Sequence, residues 1–545
     1  MSEGPAVLIA GAGATGLALA CGLLAGGATV RILDRAPGPA VTSRALGLQP
    51  RGSEVLDRLG ALDDLPDRSV AINQVAVHLN GRQTASLRLG QRTKLVTRPG
   101  LLVSQAEIEA ALRTRLGELG GAVEWGHDVT SAEQDADGVV VDFQITSPGA
   151  PARSYDEPGS SSEPDTGGIG GEPAGTVRCA WLVGCDGAHS QIRKVSGTGF
   201  PGVPLVERFL LADVHADLPG PRDTVSVWLR GDQMIAAFPL PGADVWRLMA
   251  PVEPLPEAGE PARSADAAAT TGSVIETLTR LLQEHSGVPA SAVRDAVWTS
   301  TFRVHRRLAE SYRTGRILLA GDAAHIHSPI GGQGLNTGLG DAENLAWKLA
   351  LVTRGRADPT LLDTYQAERR PIATEVLDST STMTRMVLGD SLIARLVRDR
   401  VFVPLLDRPV VRRFIWEQAS QLKVSYRRGP LASSAARRAP GLMGDRPRSG
   451  DRMPDVECRR TDGGQTRLHA ELGGRWVLLV PPAGAIPAVD VVVAHLGEDA
   501  VTALERVDRR QRHAVLVRPD GHVGCAGSPG ALDGWLRNVL QTGRS

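Results

Sequence analysis

A short apolar strand that runs into Gly11-Ala-Gly13-Ala-Thr-Gly16 and then a helix leaves this chain few ways to begin. Residues 6–10 (AVLIA) are apolar. Residues 15–26 (TGLALACGLLAG) read as a helix, and residues 28–33 (ATVRIL) as a second strand ending at Asp34. That order predicts a β-α-β unit. The glycines permit the tight turn, let a backbone approach a pyrophosphate, and pack the helix on the strand, so that the phosphate lies on the positive helix end. The bare G-x-G-x-x-G pattern is weak. Its placement after a strand, before a helix and about 20 residues ahead of an acid makes it specific for a dinucleotide. Asp34 is expected at the two hydroxyls of an adenosine ribose, with Arg35 beside it. The bland alternative is a glycine-rich turn with a surface acid.

A length of 545 residues allows two or three domains, and a hydrophobic fraction of 42% excludes a disordered chain. A formal net charge of -1 gives no footprint for nucleic acid or an acidic membrane surface. The five cysteines form no C-x-x-C pair and no zinc spacing, which points to reduced thiols, no bound metal and a cytoplasmic location. The N-terminus lacks the basic start of a leader, and no run approaches the length of a membrane helix.

Further along, a helical stretch is expected at 52–65, and Ser104-Gln-Ala-Glu107 has the spacing of a capping box opening a helix to about 119. Residues 147–176 are Pro, Gly, Ser and acid with almost nothing apolar, and read as a flexible insertion between hairpin strands. Segments 207–215 and 224–252 alternate like antiparallel strands, and 273–286 is helical. A buried strand at 316–321 (RILLAG) leads through a glycine-rich loop to a helix at 337–354, and more helix follows over 360–425. Residues 426–455 have linker composition. Strands at 475–480, 489–494 and 513–517 and a helix at 530–541 then form a small α/β domain.

Two more motifs decide which dinucleotide. Residues 182–193 (LVGCDGAHSQIR) place Asp186-Gly187 after an apolar strand, and residues 317–340 (ILLAGDAAHIHSPIGGQGLNTGLG) place Gly321-Asp322 after another. A carboxylate at a strand end can bind a ribose or ribityl hydroxyl. The glycines that follow let backbone N–H groups approach an electron-rich ring. With three motifs in this order, the chain resembles the class A flavoprotein aromatic hydroxylases, in particular bacterial members with a C-terminal thioredoxin-like domain that act on phenols, aromatic polyketides and rifamycin-type antibiotics.

The resemblance covers essentially the whole chain. It implies an α/β fold: a Rossmann-like FAD-binding domain (1–75, 100–185, 300–375) with an inserted antiparallel-sheet substrate domain (76–99, 186–299). A helical segment and linker (376–440) and a thioredoxin-like α/β domain (441–545) complete it. It implies that Gly11, Gly13 and Gly16 hold the FAD pyrophosphate, that Asp34 binds the adenosine ribose, and that Arg44 and Gln105 lie near the flavin chain. Asp186 and Gly187 are implied in handling FAD and NAD(P)H, Gly321 and Asp322 at the ribityl chain, and Pro329, Gly332, Gly334, Leu335 and Asn336 around the isoalloxazine ring. The implied reaction is NAD(P)H-consuming monooxygenation, with NADPH preferred, of an aromatic or polyketide-type molecule by O2 through a C4a-(hydro)peroxyflavin, in a monomer or homodimer. Baeyer-Villiger insertion or a non-oxygenating FAD reductase would use the same scaffold. The halogenase W-x-W-x-I signature is absent, and a non-catalytic nucleotide-binding protein would have no need of all three motifs.

Several other residues invite functional readings. His325 and His327 form an H-x-H without a third ligand, so packing near the ring-lining loop is expected. His305 is a candidate contact to substrate or NAD(P)H, and Arg303, Arg306 and Arg307 to phosphates, against a default of surface or capping roles. Trp228, Trp246 and Trp298 are expected in the core rather than on substrate, and Cys185 as a small apolar filler. The final domain carries an Arg518-Pro-Asp-Gly521 turn like that of the family but Gly524-Cys525 where an aromatic residue is usual. With no C-x-x-C it reads as structural or as an interface, and removal of residues from about 456 onward is expected to leave bound FAD at some cost in solubility.

Overall fold

The structure is a computed structural model that describes residues 4–41, 46–89, 96, 98–145, 174–252, 271–327, 332–388, 392–433, 447–481, 486–507 and 513–541. Within these ranges the side chains of 203–207, 271, 302–305, 380–388 and 392–394 are not described. The strand β1 (Val7–Ala10) is buried at every position because it lies inside a parallel sheet covered on both faces. It pairs with β2 (Val30–Asp34) on one side and with Trp181–Gly184 on the other. Ile317–Leu319 and Val123–Trp125 extend the sheet outward in parallel, and Arg313–Thr314 closes one edge antiparallel. All three motif loops therefore leave the same end of one sheet.

Helix α1 (Ala14–Ala25) follows the glycine turn and packs on the helix Gly334–Thr353. A Cβ at Gly22 or Gly26 would stand 2.7 Å from that of Ala346 or Ala350, so small residues let the two backbones approach. The Gly334–Thr353 helix is buried from Asn336 to Leu351 although it carries Asp341, Glu343, Asn344 and Lys348. Each of those needs a partner.

The second sheet has eight strands in the order His325–Ile326, Val293–Leu308, Gly202–Ala216, Val245–Val252, Gln233–Pro239, Thr224–Arg230, Gln74–Leu79 and Arg82–Arg88. One face packs on the helix Thr271–Ser286, with Leu210, Ala212, Trp228, Trp246 and Leu248 against Val274, Leu278 and Leu281. Trp228 and Trp246 are thus core residues. Trp298 is half-buried and lies 5.3 Å from the guanidinium of Arg247, which is itself paired with Asp213. The side chain of His305 lies outside the described set, as do residues 147–173 of the expected insertion; Gly175–Cys179 is already strand, paired with Val139–Ile145.

The C-terminal domain is a six-stranded sheet in the order Gln465–Arg467, Glu457–Arg459, Val501–Arg506, Trp476–Val480, Ala514–Val517 and Val523–Gly527. Its central strands are parallel on one side and antiparallel on the other, with two helices packed on the sheet, the arrangement expected of a thioredoxin-like domain. The strand expected at 489–494 is instead the helix Ile486–Leu496, which buries Ala488, Val492 and Leu496 at spacings of four. Trp476 meets Trp347 of the long helix edge-on, with centroids 5.1 Å apart. The stretch read as linker is tied into this contact: Tyr426, Ser449 and Met453 are buried, and Arg452 bridges to His522. No helix among the described residues is long and apolar enough to cross a membrane.

Candidate cofactor and active site

The glycine turn is held by Asp34. Its Oδ2 accepts from the Ala12 amide at 2.6 Å and its Oδ1 from the Ala36 amide at 2.8 Å. Each carboxylate oxygen keeps a lone pair free. Arg35 is exposed beside it, and Arg44 lies outside the described residues. Gly11 has φ +103, and a Cβ there would stand 2.3 Å from the Cys185 carbonyl oxygen; one at Gly16 would stand 2.0 Å from that of Gly11. The protein itself demands glycine at both. At Gly13 the nearest atom to a Cβ is Oε1 of Glu109, 3.7 Å away. The space over Gly13 is open, as a cradle for a pyrophosphate would be. Gln105 opens the helix Gln105–Glu118 and donates to Glu109 Oε1 at 2.7 Å, so both polar groups border that cradle. Burial pushes the Glu109 carboxyl up, against hydrogen bonds from Gln105 and the Ala14 amide. Ser104 caps this helix by accepting from the Ala106 amide, while Glu107 pairs with Arg68 instead of closing a capping box.

Asp186 is half-buried and already engaged. It accepts from the Ser190 hydroxyl at 2.5 Å and the Ile192 amide at 3.0 Å, which fixes the start of the short helix Gln191–Val195. Burial raises its carboxyl and these bonds act the other way. Gly187 has φ +80 with nothing within 4 Å of a Cβ. From this helix Arg193 donates to the Ala323 and Ala188 carbonyls, both at 2.9 Å, and so joins the Asp186 loop to the Asp322 loop.

Gly321 has φ +63 and sits against Thr15 of α1. Asp322 has an exposed side chain, and its surroundings raise its carboxyl by desolvation. It has no hydrogen-bond partner among the described residues. Pro329 lies outside them. Gly332 (φ +60), Gly334 and Leu335 form the turn into the long helix, each half-buried. The carboxamide of Asn336 is fully used: it accepts from the Gln49 amide at 2.9 Å and donates to the Gly332 and Gly47 carbonyls. Asn336 therefore holds the ring-lining turn against strand Leu46–Leu48.

Beneath that turn lies a buried line of polar groups absent from the motif set. His327 bonds to His325 at 2.8 Å, His325 to Asp341 at 2.5 Å, Asp341 to Arg369 at 2.7 Å, and Arg369 to the Tyr426 hydroxyl at 3.0 Å. The expected packing of the two histidines near the loop is what the structure has. No spacing in the sequence marked Asp341 or Arg369; the only signal, for Asp341, was a charge in a helix otherwise apolar enough to be buried. Cys185 and Cys525 are buried, and burial pushes both thiols up, Cys525 to about 11, so neither is a ready nucleophile.

Comparison with known proteins yields the same picture. Residues 5–380 match a family described as "FAD binding domain", and residues 446–542 one described as "Aromatic-ring hydroxylase, C-terminal". The chain is 36% identical to a 12-dehydrotetracycline 5-monooxygenase/anhydrotetracycline 6-monooxygenase of Streptomyces rimosus subsp. rimosus, covering 98% of both chains. It is 32% identical to a rifampicin monooxygenase of Streptomyces venezuelae, over 96% of this chain and 95% of that one. Among solved structures, the anhydrotetracycline hydroxylase from Streptomyces rimosus superposes with a TM-score of 0.74 at 32% identity, over 99% of this chain and 98% of that one. An aklavinone-11 hydroxylase in complex with FAD and aklavinone gives 0.76 at 25% identity, over 99% and 100%.

Proposed function

The chain belongs to the FAD-dependent aromatic-ring hydroxylases, a family of flavoprotein monooxygenases, and from that premise we propose that it hydroxylates a polycyclic phenol of the aromatic-polyketide type with NADPH and O2. The observation that carries the cofactor assignment is the exposed carboxylate of Asp322, without a hydrogen-bond partner among the described residues, at the sheet end where Gly13 leaves room for a pyrophosphate. These residues fit FAD. Asp322 would take ribityl hydroxyls, Asp34 the adenosine ribose, and the first turn of α1 the pyrophosphate. When bound, FAD supplies oxygen activation after reduction by the nicotinamide. The chain's own part is to bind, orient and keep water out.

The substrate class is supported by relatives named for anhydrotetracycline and rifampicin and by a neighbour solved with aklavinone, all bulky polycyclic or macrocyclic phenolic compounds. On the face of the eight-stranded sheet opposite the Thr271–Ser286 helix stand Leu211, Ala236, Phe238 and Met249, the first two buried and the others half-buried, so that face is apolar as flat rings would require. We take NADPH as the reductant, and NADH in its place in the same assay tests that choice.

The test is the absorption spectrum of the purified protein, followed by NADPH oxidation with anhydrotetracycline, rifampicin and simpler polycyclic phenols. A yellow protein whose NADPH use rises with one compound, giving a product heavier by one oxygen, is expected. A protein that takes up no added FAD would sink the reading. Asp322→Ala should lower flavin content several-fold without lowering the yield of folded protein; normal flavin in this variant would refute the role of Asp322.

A further inference from the structure

Two buried polar atoms beside the ring-lining loop have no hydrogen-bond partner among the described residues: Nδ1 of His327 and Nε of Arg306. They come from neighbouring antiparallel strands. Arg307 stands opposite Ile326 and Leu308 opposite His325, so the same register carried one residue further sets Arg306 opposite His327 on one face. His327 is the last described residue before the loop, and its Cδ2 lies 4.0 Å from where a Cβ at Gly334 would be.

With His325 neutral, the tautomer of His327 follows from what lies behind it. Asp341 accepts from Nε of Arg369 at 2.7 Å and from the Gly321 amide at 3.2 Å. Both donors favour the ionised carboxylate, and Arg369 balances its charge. His325 then donates through Nε2 to Asp341 at 2.5 Å and keeps a lone pair on Nδ1. Nε2 of His327, 2.8 Å away, donates to that lone pair. What remains at His327 is Nδ1 as a bare acceptor. Burial, with Arg306 and Arg369 adding to it and Asp341 opposing, holds the His327 ring well below the usual imidazole range, so it is neutral near pH 7. Arg306, whose terminal nitrogen reaches the Leu377 carbonyl at 3.3 Å, keeps Nε–H as a donor.

We propose that Nδ1 of His327 and Nε of Arg306 form a paired acceptor and donor for a ligand edge that carries an N–H or O–H beside a carbonyl. Such an edge occurs on the pyrimidine ring of a flavin and on the hydroxy-ketone of a phenolic polyketide. His325 and Asp341 are positioning residues, which set the tautomer of His327 without touching the ligand. The inference rests on the hydroxylase reading for the identity of the two ligands.

The test uses the full-length protein with FAD and anhydrotetracycline as probes, and two variants that each keep one half of the imidazole. His327→Asn retains an acceptor where Nδ1 stands but loses the donor to His325. His327→Gln retains the donor but loses the acceptor. The expected result is dissociation constants near wild type in H327N and weakened about tenfold in H327Q, the scale of one buried hydrogen bond left unmade. The probe that weakens, FAD or anhydrotetracycline, identifies which edge is held. Wild-type affinities for both probes in H327Q, or weakening in H327N alone or in both variants equally, would overturn the proposal in favour of a packing role. Should the variants fail to fold, 15N chemical shifts of His327 in the wild-type protein decide: an Nδ1 that carries no proton supports it, and an Nδ1–H tautomer overturns it. If the wild type binds FAD but oxygenates no phenol, the functional reading fails while the FAD and 15N measurements still judge the site.

Discussion

A methyl group at Gly16 would stand 2.0 Å from the Gly11 carbonyl oxygen, whereas one at Gly13 would meet nothing closer than 3.7 Å. The two glycines of one motif therefore answer to different demands: the fold requires Gly16, while Gly13 leaves open the space that the proposed pyrophosphate would take. Gly13→Ala should leave the melting temperature of the FAD-free protein unchanged within about 2 °C, the size of a neutral surface change, and lower flavin content. Gly16→Ala should lower soluble yield. Equal melting losses in both, measured on FAD-stripped protein, would mean that Gly13 is structural too. This part of the site was legible because turn chemistry ties residue type to backbone shape, and the same holds for Asp34 and Asp322 at strand ends. Asp341, Arg369 and Arg193 were not legible, since one charge in a buried helix has no pattern of its own and finds its meaning only in a partner distant in sequence. Asn336, expected around the flavin ring, spends its carboxamide on backbone from residues 47–49.

At the scale of elements, the apolar run 489–494 shows the limit of periodicity. Val-Asp-Val-Val-Val-Ala satisfies a buried strand as well as a helix face, and β-branched residues favour strand. The burial of Ala488, Val492 and Leu496 against the domain core settles it as helix. The short helix Gln191–Val195 makes the opposite point: five residues cannot stand alone, and this one persists because Asp186 and Ser190 cap it and Arg193 spans two loops. Replacing Arg193 with Met should leave the Ala188 and Ala323 carbonyls unpaired, at a cost of about 1–3 kcal/mol each at most. Because those carbonyls belong to the Asp186 and Asp322 loops, FAD affinity should fall along with stability. Urea unfolding and FAD titration on the same preparation check this, and a stability loss with unchanged FAD affinity would show that the loops need no coupling.

The whole molecule is held together by charges sealed between its domains. Glu368 receives both terminal nitrogens of Arg518, at 2.8 and 2.9 Å, and Lys348 at 2.9 Å. Asp520 takes Arg518, Trp347 and Asn344, while Glu343 takes Arg51 and Arg58. All of these groups are buried. Removing one partner of a buried pair strands the other, at about 3–5 kcal/mol. A chain cut before the last domain would lose Arg518 and Asp520, which hold Glu368 and, through Asn344 and Trp347, the helix that follows Gly332, so the shortened chain should be insoluble or free of flavin. The same network should appear in acid. Burial opposes ionisation of Glu368, but Arg518 and Lys348 outweigh it and hold the carboxyl at about 2, against an ordinary 4.5. An unfolded chain takes up this proton near 4.5 and the folded one only near 2, so the stabilisation is complete above the first value and lost as pH falls toward the second. The difference corresponds to about 3 kcal/mol. Glu368→Gln should melt well below wild type at pH 7, and the gap should narrow as pH drops from 5 through about 3. A gap that stays constant over that range would mean that the ionised carboxylate contributes nothing, and that the other contacts across this seam, Asp520 with Asn344 and Trp347 and Arg452 with Glu54, carry it.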